Sequence, residues 1–170
     1  MKQKIGVLLG RFQPFHRGHQ QLITEMLLDN DKVYIFVAGN GKDKEKNPIP
    51  YWLRKLSIRL INKVKIIKAD VGFLPTLIDE NISYEKTRVR VYSTGDRVGS
   101  YSSQFSEIWK IYYNVEFVEH ENRFGEVSGT GVRKLVKENH QQQFYDSLPN
   151  LYSDITKFIL FKLYRFYLKG

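Results

Sequence analysis

Gly10-Arg11-Phe12-Gln13-Pro14-Phe15-His16-Arg17-Gly18-His19 decides how this chain is read. The apolar run Ile5-Gly-Val-Leu-Leu9 leads into it, and a helix-forming segment, Gln20 to Leu28, follows. Strand, glycine turn, two histidines three apart, helix: this layout builds an anion site. Residues at i and i+3 share a helix face, so His16 and His19 are expected to point together at whatever sits over the helix N-terminus. Free N–H groups and the positive end of the macrodipole attract anions there. Gly10 is expected to let the backbone approach a ligand, and Pro14 to fix the chain before the helix. Arg11 adds a permanent forked cation. A lone histidine or a lone Gly-Arg is usually structural. Ten such residues between a strand and a helix are far more specific and predict a polyphosphate site.

Working outward, the chain alternates. Lys32 to Gly39 reads as a buried strand rich in Val, Ile, Phe and Tyr, Ile49 to Asn62 as a helix, and Val64 to Ala69 as a strand. Pro75 to Ser83 reads as a helix, Arg88 to Thr94 as a strand, Tyr101 to Ile111 as a helix, Val115 to Glu119 as a last strand, and Ser128 onward as helices. Such alternation predicts an α/β, Rossmann-like parallel sheet with helices on both faces and a C-terminal helical segment. Ligands of such sheets bind outside the carboxyl ends of the strands, where strand order switches. One domain is expected over residues 1–170, with 139–170 its helical extension.

Composition narrows the classes. The 170 residues contain no cysteine, which excludes disulfides, thiolate metal sites and thiol nucleophiles. With 27 Lys and Arg against 18 Asp and Glu the net charge is +9, which suits anionic substrates and equally nucleic acid. The basic residues are spread along the chain rather than gathered in one arm, so nucleic acid is not expected as a partner. The N-terminus runs directly into a strand without a long apolar region or cleavage pattern, so the chain reads as cytoplasmic. The aromatic tail Ile155–Leu168 is interrupted by Lys and Arg and is too short for a clean span. It reads as a helix docked on the domain, with membrane contact not expected and a homo-oligomer left open. Gly39-Asn-Gly-Lys42 does not meet the spacing of a P-loop. His120 and His140 lack the spacing of metal ligands, so no protein metal site is expected, and both read as structural or surface residues.

A second phosphate motif lies downstream, Val127-Ser128-Gly129-Thr130-Gly131-Val132-Arg133. Ser128 is a good N-cap, Thr130 falls in the first turn, and Arg133, three residues on, can reach the same phosphate. Alone it would be read as an ordinary capped surface helix.

Gly-Arg-Phe-Gln-Pro-Phe-His-x-Gly-His resembles the first signature of the nucleotidyltransferase superfamily whose hallmark is His-x-Gly-His. Arg-Phe-Gln-Pro is similar to the archaeal type of nicotinamide mononucleotide (NMN) adenylyltransferase and to the adenylyltransferase half of Nudix-fused bacterial and phage proteins. Related cytidylyltransferases usually carry Gly-Thr-Phe-Asp there. Ser128 to Arg133 resembles the superfamily's second signature, although Gly129 and Gly131 depart from it. Two glycines loosen a helix start by roughly 1 kcal/mol each against Ala. Lys46-Asn47-Pro48 with Arg54, and Tyr92-Ser93-Thr94-Gly95-Asp96, resemble two further family segments. Ser100–Ser103 is loosely similar to a Ser-Ser-Tyr segment of the Nudix-fused members, and Trp109 reads as a core aromatic.

The resemblance implies adenylyl transfer from ATP to NMN, giving NAD and pyrophosphate. His16, His19, Arg11 and Arg133 are then the catalytic residues. Gly10, Phe12, Gln13, Asn47, Arg54, Thr94, Gly95, Asp96, Ser128 and Thr130 contact substrate. Mg²⁺ is expected on the ATP phosphates. The alternatives are a transferase using CTP or another phosphorylated acceptor, and a nucleotide-binding sensor without turnover.

Overall fold

Alternate residues of the first strand part to two sides. Ile5, Val7 and Leu9 enter one apolar core and Leu8 the other, the period-2 consequence of a strand buried on both faces. The computed structural model describes residues 2–39, 43–60, 62–70, 72–94, 98–120 and 127–169. In chain order the elements are β1 Gln3–Gly10, α1 Arg17–Asp29, β2 Lys32–Val37, α2 Tyr51–Arg59, β3 Lys65–Lys68, α3 Leu74–Asn81 and β4 Thr87–Thr94. There follow α4 Val98–Ser102, α5 Glu107–Tyr112, β5 Glu116–His120, α6 Gly129–Lys137, α7 Gln141–Ser147 and α8 Asp154–Leu168. The five strands form one parallel sheet in the order β3-β2-β1-β4-β5. The chain leaves β1 toward β2 on one side and later returns to β4 on the other. The carboxyl ends of β1 and β4, at Gly10 and Thr94, therefore flank the switch point.

One core collects Leu22, Ile23 and Met26 of α1, Leu53 and Ile58 of α2, and residues of α6, α7 and α8. The other collects Leu74, Leu77 and Ile78 of α3 with Tyr101, Phe105 and Tyr113. This is the layered α/β fold expected from the alternation. The tail is tied down by polar contacts as well as apolar ones. The buried Tyr164 hydroxyl lies 2.8 Å from Ser57 Oγ of α2, and Tyr152 donates to the Ser57 carbonyl. Among the described residues no helix is long and apolar enough to cross a membrane.

Two elements differ from the sequence reading. α1 begins at Arg17 rather than Gln20, because His16 takes the N-cap and its carbonyl accepts from Gln20 N–H at 3.1 Å. The helix expected over Tyr101–Ile111 is two short ones. Between them the Ser103 hydroxyl bonds the Ser100 carbonyl, Phe105 turns into the core, and Ser106 caps α5 by accepting from Trp109 N–H. Serines that bond nearby backbone compete with the helix ladder. Trp109 is packed against the core and stacks on Tyr113 at 5.1 Å, as expected of a core aromatic.

Candidate functional site

The turn after β1 is held by its own side chains. Phe12 sits at φ 51° and folds back under Gly10. A Cβ on Gly10 would lie 2.8 Å from the Phe12 ring, so Gly10 makes room for Phe12, and it also lines the cavity described below. Phe12 is buried, and its ring meets His19 edge-on at 4.8 Å. Gln13 is buried too. Its amide donates to the Ile49 carbonyl at 3.0 Å and accepts from the Ile49 N–H at 2.9 Å. Phe12 and Gln13 both line the cavity described below, where Phe12 also supports a histidine and Gln13 clasps the loop before α2.

The two histidines come together as expected. Their rings stack at 3.7 Å, with His16 at the N-cap of α1 and its backbone N–H donating to His19 Nδ1 at 3.3 Å. Burial, reinforced by Arg17, pushes the His16 imidazole from its ordinary 6.5 down to about 4. His16 is therefore a neutral ring at pH 7.

The second motif closes on the first. Ser128 caps α6 and accepts from Gly131 N–H at 3.1 Å. Arg133 donates through Nη1 to the Gln13 carbonyl at 2.5 Å and through Nη2 to Thr130 Oγ1 at 3.0 Å. A Cβ on Gly129 would lie 2.7 Å from that same carbonyl. This is the reason for a glycine at a position where it weakens the helix: the first motif's backbone lies against it. Burial, and then the Arg11 charge, lower the Arg133 guanidinium from its ordinary value. Arg11 is exposed and, among the described residues, has no side-chain hydrogen bond or ion pair.

These groups line a cavity of about 370 Å³ at the carboxyl ends of β1 and β4. Arg11, His16, His19, Ser128, Thr130 and Arg133 form one part of its wall, and Ser93, Thr94, Tyr101 and His120 another. Gly95 and Asp96 lie outside the described residues.

Arg54 and Asn47 do not line this cavity; both line a second one that shares Arg133 with it. Arg54 is 1% exposed. Its Nη1 donates to the carbonyls of Arg11 at 2.7 Å and Ala38 at 2.6 Å, and its Nη2 to Gly39 at 3.3 Å. Burial lowers it to about 10. Among the described residues its guanidinium holds the carbonyls of the turn after β1 and of the chain after β2. Asn47 lines the second cavity, and a Cβ on Gly39, at φ 70°, would strike its Oδ1.

His120, read from the sequence as a structural or surface residue, lies at the cavity. It ends β5 in register with Thr94. Its Nδ1 lies 2.7 Å from Glu25 Oε2 of α1, and it lines the cavity. The signal was its place at the carboxyl end of a parallel strand. His140 is exposed beside Glu138, a surface residue as expected.

A cleft of histidines, arginines and hydroxyls at the switch point of a parallel sheet is a donor set that suits phosphate oxygens. Residues 7–135 match the Cytidylyltransferase-like family, and the chain belongs to that family. It is 47% identical over 38 residues to a nicotinamide-nucleotide adenylyltransferase of Thermoplasma acidophilum, covering 22% of this chain and 21% of that one. It is 35% identical over 78 residues to a phosphopantetheine adenylyltransferase of Mycoplasma capricolum, covering 46% and 50%. The fold matches a bifunctional NMN adenylyltransferase/ADP ribose pyrophosphatase of Francisella tularensis, solved with AMP and manganese. The TM-score is 0.67 at 18% identity, over 98% of this chain and 52% of that one. The chain thus spans about half or less of the length of these relatives.

Proposed function

We propose that this protein transfers an adenylyl group from ATP to NMN, giving NAD and pyrophosphate. The observation that carries the proposal is the junction of the two motifs: Arg133 bridges the Gln13 carbonyl and Thr130 beside the stacked histidines. A guanidinium has five N–H donors. The two contacts to Gln13 and Thr130 leave others for phosphate oxygens.

In this reading the 5′-phosphate of NMN attacks the α-phosphorus of ATP, and the bond to the bridging oxygen of pyrophosphate breaks. A phosphate monoester loses its second proton near pH ~6, so the nucleophile needs no general base. Catalysis is then positioning and charge stabilisation. His19 faces the bridging oxygen, Arg11 and Arg133 hold the triphosphate, and the N-termini of α1 and α6 with Ser128 and Thr130 supply donors. The donor set is cationic or hydroxylic and suits phosphate oxygens rather than a bare metal ion, so in the proposal Mg²⁺ arrives on ATP and neutralises its charge. Turnover takes place in solution, without nucleic acid or membrane.

The acceptor has one specific rival. The Mycoplasma relative aligns over twice as much of this chain as the Thermoplasma one, which favours a phosphopantetheine acceptor. The Arg11-Phe12-Gln13-Pro14 string favours NMN. Pyrophosphate release with ATP or CTP against NMN, nicotinate mononucleotide and phosphopantetheine separates them. ATP with NMN is expected to be the fastest pair. Turnover with phosphopantetheine alone, or with CTP in place of ATP, would move the assignment. ATP binding without turnover on any acceptor would make the protein a sensor.

A further inference from the structure

His120 lines the cavity and has no part in the proposed transfer chemistry. Its Nδ1 is engaged by Glu25 Oε2 at 2.7 Å. The other oxygen of that carboxylate, Oε1, accepts from Gln21 Nε2 at 3.2 Å. Gln21 and Glu25 lie one turn apart on α1, so the chain Gln21–Glu25–His120 ties the end of β5 to the first helix. A carboxylate accepts but does not donate. It therefore holds the imidazole through a proton on Nδ1, and in that tautomer Nε2 is the ring's acceptor.

The setting decides what that acceptor meets. The phosphate-binding groups, His16, His19, Ser128, Thr130 and Arg133, come from the starts of α1 and α6. His120 stands instead at the end of β5, beside Thr94 and two strands from β1. The Glu25 carboxylate behind it repels phosphate, and apolar Leu8, Leu22 and Val127 also line the cavity. This corner suits the uncharged part of a nucleotide.

We infer that His120, positioned by Glu25, reads the exocyclic amino group of the transferred nucleotide's base by accepting its N–H. The inference rests on the nucleotidyl-transfer reading of the same cavity. Such a reader favours a 6-amino purine over its 6-oxo counterpart, because the carbonyl of the latter meets a second acceptor and leaves both unpaired.

Equilibrium binding separates this from the transfer reading. Dissociation constants are measured for ATP, inosine triphosphate and inorganic tripolyphosphate with the wild type, His120→Ala and Glu25→Gln. The wild type is expected to bind ATP about tenfold more tightly than inosine triphosphate, the scale of one buried polar mismatch. In His120→Ala that ratio falls to about one while tripolyphosphate binding stays unchanged. Glu25→Gln keeps the side-chain volume but can donate to Nδ1, which moves the ring proton to Nε2. The ratio then falls in a variant whose core is untouched. An ATP preference that survives both substitutions, or an equal loss of tripolyphosphate binding, would overturn the inference alone. A wild type that binds no ATP would overturn the transfer reading and this inference with it.

Discussion

Arg54 in α2 and Arg133 in α6 carry the same side chain near the same turn, and the folded chain gives them different work. Arg54 lies in the first turns of α2, beneath the carboxyl ends of β1 and β2, where the carbonyls of Arg11, Ala38 and Gly39 point inward. It is fully enclosed. Arg133 lies on the open side of α6 and spends two donors, on Gln13 and Thr130, at the edge of the cavity. A buried guanidinium is a structural cation that satisfies backbone which water cannot reach. A half-open one is available to an anion. The first makes the turn on which the second acts.

Substitution should pull the two apart. Arg54→Ala removes at least three hydrogen bonds and leaves a cavity, with an expected loss of about 3–5 kcal/mol in stability, read as a shift of the denaturant midpoint. Arg54→Lys should recover only part, since a point charge cannot reach carbonyls in three directions. A normally stable Arg54→Ala protein that had lost only turnover would return Arg54 to the phosphate site.

Arg133→Ala should behave in the opposite way. About 2–4 kcal/mol is expected in kcat/KM for ATP, against about 1 kcal/mol in stability for the lost contact to Gln13. Equal losses in the two quantities would erase the distinction between the arginines.

The buried neutral His16 sharpens the same contrast through pH. Its folded value, about 4, lies below the ordinary 6.5, so the unfolded chain binds the extra proton first as pH falls. Its share of stability is therefore complete above about pH 6.5 and is lost progressively toward pH 4. At most about 3.5 kcal/mol is at stake, since one pKa unit is about 1.4 kcal/mol. His16→Asn should flatten the urea-melt stability profile across that window. A profile as steep as the wild type's would assign the loss to other groups.

What was legible in the sequence follows from how local each feature is. The sheet could be read because its strands are short apolar runs bounded by turns, and alternation with helices leaves few topologies. His16 and His19 could be read because N-cap and third position share a face. Ser128 capping α6 needs only its own neighbours. The rest depends on where distant backbone goes. No pattern shows that Gln13 faces Ile49, that Gly129 meets the Gln13 carbonyl, or that three carbonyls wait for Arg54. The helix expected over Tyr101–Ile111 failed for a related reason. Its serines favour helix ends and turns as readily as helix interiors, and the burial of Phe105 decided between them.

The most direct measurement is kcat and the ATP dissociation constant of His19→Ala, side by side. Charge on the bridging oxygen builds only in the transition state, so the histidine beside it should matter to rate far more than to binding. The expected result is a fall in kcat of about 100-fold or more, with ATP affinity within about threefold of the wild type. A variant that turns over at nearly the wild-type rate, or that loses affinity as much as rate, would contradict the placing of transfer at this pair of histidines.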